Sequence, residues 1–205
     1  MAERTTTPKL YSYVLSHDAG AAPNPFWGHC TLAICKPKIR RRAKVGNWIV
    51  GIGPAGKPTH GKLIYAMEVN ETLPFKKYFR DRRFAEKKPQ PDSDDWTPRS
   101  GDNIYRPLIG GRFKQLKGPH KPRNKAKDLR GENVLISKRF YYFGRKAVRI
   151  PKEFKRIAKG GRPDRCKFSP DLVARFVKWV KGHRIGIHGD PAKILPRKGG
   201  SCESK

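Results

Sequence analysis

A chain carrying 47 Lys and Arg against 17 Asp and Glu, a net +30 over 205 residues, must keep nearly all of that charge in water. Its core has to come from a minority of short apolar segments, because only 36% of its residues are hydrophobic and a globular chain usually has more. Aromatic residues still make up 10%, which separates it from basic disordered tails, poor in aromatics. The prediction is one folded domain over 10–182, with a flexible N-terminus at 1–9 and an irregular basic C-terminal tail at 183–205, disordered from Lys198 to Lys205. A polyanion is the expected partner: nucleic acid is considered first, DNA or a nucleotide with RNA as an open alternative, and an anionic membrane surface is considered second but not expected.

The charge is unevenly placed. Residues 1–35 are neutral, 36–90 hold 15 basic groups against 4 acidic, and 131–205 hold 20 against 6, so the basic faces come after the N-terminal segment. No apolar run is long enough to span a membrane, the N-terminus lacks the apolar core of a secretory signal, and four sparse cysteines form no disulfide framework. These features predict a cytoplasmic, reduced protein that neither spans nor binds a membrane. They leave its oligomeric state open.

Strand-like runs occur at Leu10–Leu15, Thr31–Cys35, Asn47–Ile52, Leu63–Val69, Val134–Ile136 and Ala147–Ile150. Short helices are expected over 75–84 and 151–159. The clearest helix is 170–181: Ser169 is a natural N-cap, Pro170 suits the first turn, Leu172, Val173, Phe176, Val177 and Val180 share one face, and Gly182 ends it. Residues 87–102 and 110–131 read as loop. Strands, long loops, then helices suggest an α+β fold.

Gly51-Ile52-Gly53-Pro54-Ala55-Gly56 matches the dinucleotide fingerprint, but Pro54, Pro58 and Gly61 prevent the helix that it requires, leaving a β–β connection. His29, Cys30 and Cys35 lack the paired spacing of structural zinc, so neither a metal nor a cofactor is predicted. Lys36, Lys38, Arg40, Arg41 and Arg42 crowd the stretch before Trp48 and are the candidate phosphate-binding edge. Asn24, held between two prolines, with Phe26 and Trp27, and Asp102, Asn103 and Tyr105 with Trp48, are candidates for a base pocket, amides for pairing and rings for stacking. No nucleophile motif is present. Asp18 and Asp102, with His29 and His120, are candidate acid–base groups only as polar loop residues.

Asn24-Pro25-Phe26, Thr31–Pro37, Gly46–Gly51, Tyr65–Val69, Tyr78-Phe79-x-Asp81-x-Arg83-Phe84, Gly101–Tyr105 and Val134–Ser137 with Phe140-x-Tyr142-Phe143-Gly144 form a set spread over most of 10–180. In these the chain resembles the nucleotide modification associated domain 2 family of bacteria and phages, found near DNA base-modification genes. Asn47 stands where that pattern has Asp. The order of a Lys-rich segment, Gly46-x-Trp48-Ile49-Val50 and a strand ending Glu68-Val69 is also similar to PUA-like barrels, the ASCH and EVE relatives. The resemblance implies a small PUA-like β-barrel or mixed sheet with short flanking helices and long basic loops. It also implies a DNA-binding protein that recognises a modified or exposed base. The alternatives are an enzyme of base or nucleotide modification using Asp18, Lys36 or Asp102, and an RNA-binding protein.

Overall fold

In a computed structural model, residues 8–159 and 166–197 are described. The expectations for Met1–Thr7 and for Lys198–Lys205 lie outside them. Among the described residues the strands are β1 (Leu10–Val14), β2 (Cys30–Leu32), β3 (Trp48–Ile52), β4 (Lys62–Glu68), β5 (Glu71–Pro74), β6 (Tyr105–Pro107), β7 (Phe113–Gln115), β8 (Asn133–Ser137), β9 (Phe140–Tyr142), β10 (Val148–Arg149) and β11 (Gly186–Ile187). The helices are α1 (Pro37–Arg42), α2 (Phe75–Arg80), α3 (Trp96–Arg99), α4 (Lys125–Leu129), α5 (Lys155–Ala158) and α6 (Pro170–Lys181).

The chain forms two compact units, each assembled from separated stretches: 1–16, 43–71 and 137–190 in the first, and 17–42, 72–136 and 191–205 in the second. The first contains a mixed sheet ordered β1-β3-β4-β9-β11, with β10 pairing the free half of β4. β1 and β3 run parallel, as do β9 and β11, and the β3–β4 and β4–β9 pairs are antiparallel. The end strands β1 and β11 do not pair, so the sheet is open. This is the expected mixed α+β arrangement; no closed barrel is found among the described residues, so the PUA-like part of the expectation is not confirmed.

α6 covers this sheet as its sequence dictates. Ser169 Oγ accepts the Leu172 N–H at 3.4 Å, Gly182 terminates the helix, and the face of Leu172, Val173, Phe176, Val177 and Val180 is buried with Trp48, Val50, Leu63 and Tyr141. The glycines of the rejected fingerprint serve packing. A side chain on Gly51 would strike the Tyr65 ring across the β3–β4 pair, and one on Gly53 would strike the Thr59 carbonyl. Close approach of β3 to its neighbours, not phosphate, requires glycine there.

The second unit holds the sheet β2-β8-β5, the separate hairpin β6-β7, and helices α1 to α4. Its core gathers Ile34, Phe75, Tyr78, Phe84, Ile104, Tyr105, Val134 and Ile136. Two expectations change here. The basic run from Lys36 is a helix, because Ile39, Arg40 and Ala43 recur on one side and are buried. The stretches read as loop at 87–102 and 110–131 contain α3, β7 and α4, elements too short to announce themselves by periodicity.

Phe176 is wholly buried between the sheet and the ring of Phe154, 5.4 Å away between centroids. Phe176→Ala should destabilise the first unit by about 3–5 kcal/mol, read as a lowered denaturation midpoint.

Candidate active site

The site begins where β2 ends. Leu32, Ala33 and Ile34 are buried, so the strand enters the core and then has to turn abruptly into α1. The turn is made by two consecutive non-glycine residues in the left-handed region, Cys35 at φ 61° and Lys36 at φ 42°. Such backbone is costly for an L side chain and persists only where surrounding bonds hold it. Here they do. The Cys35 N–H donates to Asp128 Oδ1 at 2.9 Å, and the Cys35 carbonyl accepts from Arg40 Nε at 2.7 Å.

His120 lies between β7 and α4, in a segment bracketed by Pro119 and Pro122. Its carbonyl accepts from Gln115 Nε2 at 2.7 Å, which fixes the loop. Its ring connects two groups. Nε2 is 3.2 Å from Cys35 Sγ, and Nδ1 is 2.5 Å from Asp128 Oδ2. Asp128, buried on α4, also accepts the Tyr105 hydroxyl at 2.8 Å. One carboxylate thus takes donors from the thiol's own backbone, the imidazole and β6.

The electrostatics follow. Burial works against a charged imidazole, but the Asp128 carboxylate and Cys35 outweigh it and raise His120 to about 9. Burial alone would raise the Asp128 carboxyl, yet the hydrogen bond and charge of His120 and the Tyr105 hydroxyl hold it below the usual carboxylate range. Burial, then Asp128, pushes the Tyr105 hydroxyl well up, so it stays a donor. With Asp128 on Nδ1, Nε2 is the nitrogen turned to sulfur. Sulfur and carboxylate occupy opposite ring nitrogens, so the three groups form a relay and do not converge on one point as metal ligands would.

Arg40 organises the relay from beneath. Its buried guanidinium donates to the carbonyls of Cys35, Asn133 (3.0 Å) and Asp128, and lies 5.3 Å over the Phe75 ring. Burial lowers its pKa to about 10 against the opposing pull of Asp128. This corrects the phosphate-binding expectation for Arg40: its donors face carbonyls and none of its surface reaches solvent. Lys38, Arg41 and Arg42 are exposed and Lys36 is half-buried.

Behind β2 lies a second buried network. Asp102 accepts from Thr31 Oγ1 and the Tyr78 hydroxyl, both at 2.7 Å, and so anchors the strand leading to Cys35. Burial raises its pKa, opposed by Lys87 and these donors. The Lys87 ammonium, wholly buried and lowered to about 8 by that burial, donates to Asn24 Oδ1 at 2.6 Å and to the carbonyls of Phe26 (3.0 Å) and His29 (2.9 Å). Asn24 spends its NH2 on the Ser100 carbonyl, and Asn103 spends its own on those of Tyr78 and Phe84.

These contacts correct most of the base-pocket expectation. Asn24, Asp102 and Asn103 are buried with their polar groups turned inward. Phe26 is buried against Trp27 and Trp96, and Trp48 is stacked on Tyr141 in the core of the other unit. Trp27 remains half-buried. Asp18, also buried, accepts the Ala192 N–H. Of the residues singled out from the sequence, Tyr105 and Arg40 meet at the relay, though in other roles than expected. Asp128 was not singled out, Cys35 was weighed only as a metal ligand, and His120 was named as an acid–base candidate without a partner, since 85 residues separate it from Cys35. The available signal was a cysteine closing an apolar run directly before Lys-Pro.

A family model described as nucleotide modification associated domain 2 matches residues 7–198. The chain belongs to that family. Comparisons with curated proteins and with solved structures give no match. The family match spans both units and every member of the relay.

Two outcomes test this geometry. Asp128→Asn should drop the His120 pKa from about 9 toward the ordinary 6.5, read from ring-proton NMR titration. A histidine raised on folding stabilises fully below about pH 6.5 and loses that contribution as the pH rises through about 9, so the variant should flatten the stability profile across this window. Gly131 faces the Arg40 guanidinium with no room for a Cβ. Gly131→Ala should therefore lower the melting temperature and loosen the relay, whereas Gly111→Ala, which meets nothing, should leave the His120 titration intact.

Proposed function

We propose that this protein is a thiol-dependent enzyme acting on an acyl or amide group carried by a nucleotide or a nucleic-acid base. One observation carries the reading: Cys35 Sγ stands 3.2 Å from His120 Nε2, and the opposite ring nitrogen is held by buried Asp128. A nucleophile, a base and a group orienting that base, in hydrogen-bonded series, form the arrangement for covalent catalysis. The strained backbone of Cys35 adds to it, because strain of this kind collects at functional turns.

In the proposed reaction the thiol proton passes to His120 Nε2 before attack, in keeping with the raised His120, and Cys35 Sγ then bonds to the substrate carbonyl carbon. The leaving alcohol or amine takes that proton as its bond to carbon breaks. Water, or an acceptor amine, then attacks the thioester, delivers a proton to His120, and releases the acyl group as the proton returns to sulfur. Asp128 holds the imidazolium formed between these steps. Cys30 takes no part: burial raises its pKa far above the range in which a thiolate forms. The nucleic-acid part of the reading rests on the family and on the +30 charge. A pure reader of modified bases has less support, because the amides and carboxylate suited to base recognition are occupied internally.

An activated reporter such as p-nitrophenyl acetate tests the chemistry. Intact mass and peptide mapping should find one hydroxylamine-sensitive acetyl group on Cys35, absent in Cys35→Ala. His120→Ala should slow its formation by about 10²–10⁴-fold. Acylation of wild type on residues other than Cys35, or unchanged rates in His120→Ala, would sink the assignment.

A further inference from the structure

We infer that the β6–β7 hairpin and α2 form a docking cleft for duplex DNA, with Ile109 as a wedge into the base stack. This adds a place and a mode of binding that the thiol chemistry leaves open, and it does not depend on Cys35.

The hairpin is a two-stranded ribbon separate from the two larger sheets, rooted in the core by Tyr105 and Phe113. Tyr105 pairs with Gln115, Arg106 with Lys114 and Pro107 with Phe113, and the Leu108 N–H closes the turn on the Arg112 carbonyl at 2.8 Å. Alternation along β6 sends Tyr105 inward to Asp128 and Arg106 outward. Between ribbon and helix lies a cavity of about 480 Å³ whose charged lining is Lys76, Arg80, Arg106 and Arg112. No carboxylate lines it, and none of these four cations is ion-paired among the described residues. Four like charges turned on one cleft repel one another unless an anion joins them, and arginine forks suit phosphate oxygens.

The tip has a different chemistry. Ile109 is 95% exposed and Leu108 44%, on a chain with few exposed apolar side chains. They are followed by Gly110 and Gly111, at φ 72° and 75°, where an added Cβ would meet nothing. The sequence thus builds a tight left-handed turn that pushes an isoleucine into open space between arginines. Proteins that kink or open duplex DNA combine phosphate-binding cations with an apolar wedge driven between base steps. B-DNA grooves admit a two-stranded ribbon, whereas the deep, narrow major groove of A-form RNA is closed to side chains. An enzyme acting on a base must also draw it from the stack, and this wedge sits in the turn of the hairpin whose first strand carries Tyr105, a donor to Asp128.

Binding to a DNA duplex containing 2-aminopurine, over a salt series, tests the proposal. Wild type should bind with a steep salt dependence and brighten the probe as its neighbours unstack. Ile109→Ala, a change at an exposed position, should keep the same salt slope, yet lose the brightening. The triple variant Arg80→Gln, Arg106→Gln, Arg112→Gln should reduce the slope of log K against log salt by about 2–3, at about 0.9 per phosphate contact. An unchanged slope in the triple variant, undiminished brightening in Ile109→Ala, or tighter binding at equal salt to duplex RNA or phosphatidylserine vesicles than to DNA would overturn it. None of these readouts uses the Cys35 thiol, so failure here leaves acylation of Cys35 standing, and failure of acylation leaves the wedge standing.

Discussion

The buried guanidinium of Arg40 is the interaction on which the relay depends. It ties together three carbonyls from stretches distant in sequence: Cys35 at the end of β2, Asp128 on α4 and Asn133 at the start of β8. Placing a cation where water cannot reach costs several kcal/mol, and that cost is offset only when its donors are met in good geometry. Here the partners are neutral carbonyls, with the Asp128 carboxylate close enough to favour the charged form. Removing the guanidinium would strand those carbonyls at about 1–3 kcal/mol each. The same group that makes the turn at Cys35 tolerable also sets the position of α4, and so of the acid that orients His120.

The division of labour between two cysteines five residues apart follows from this. Cys30 lies inside the core, beside the Asp102 network, where an anion is disfavoured. Five residues on, the chain leaves the sheet and Cys35 emerges half-buried against an imidazole. Asp102 and Lys87 are buried charges with internal partners that fix the strand and the 24–29 loop, which is structural work for residues whose polarity suggests chemistry.

Parts of this were legible in the sequence because they are local. α6, its cap and its buried face follow from spacing alone, as do the main strands and the non-helical glycine turn after β3, while the family was legible from the resemblance of a set of motifs. That the sheet stays open was not legible, since closure depends on long-range pairing of strands. Arg40 was misread for a related reason: within a run of basic residues nothing local marks the one that turns inward, and only the i, i+4 company of Ile39 and Ala43 hints at it. Asn24, Asp102 and Asn103 were recognised as constrained polar residues, but sequence cannot tell a presented amide from one saturated by Ser100, Tyr78 or Lys87. The relay was least legible of all, being assembled by α4 and a proline-bracketed loop with no periodic signature.

The order of the relay along the chain has a consequence for its biosynthesis. Cys35 leaves the ribosome well before His120 and Asp128, which follow by 85 and 93 residues. Until both arrive and α4 docks, the nascent chain carries an ordinary cysteine with no base beside it. On the proposed chemistry, then, the thiol acquires its base only once α4 has docked, and a chain stalled before that point carries Cys35 without His120 and Asp128 beside it.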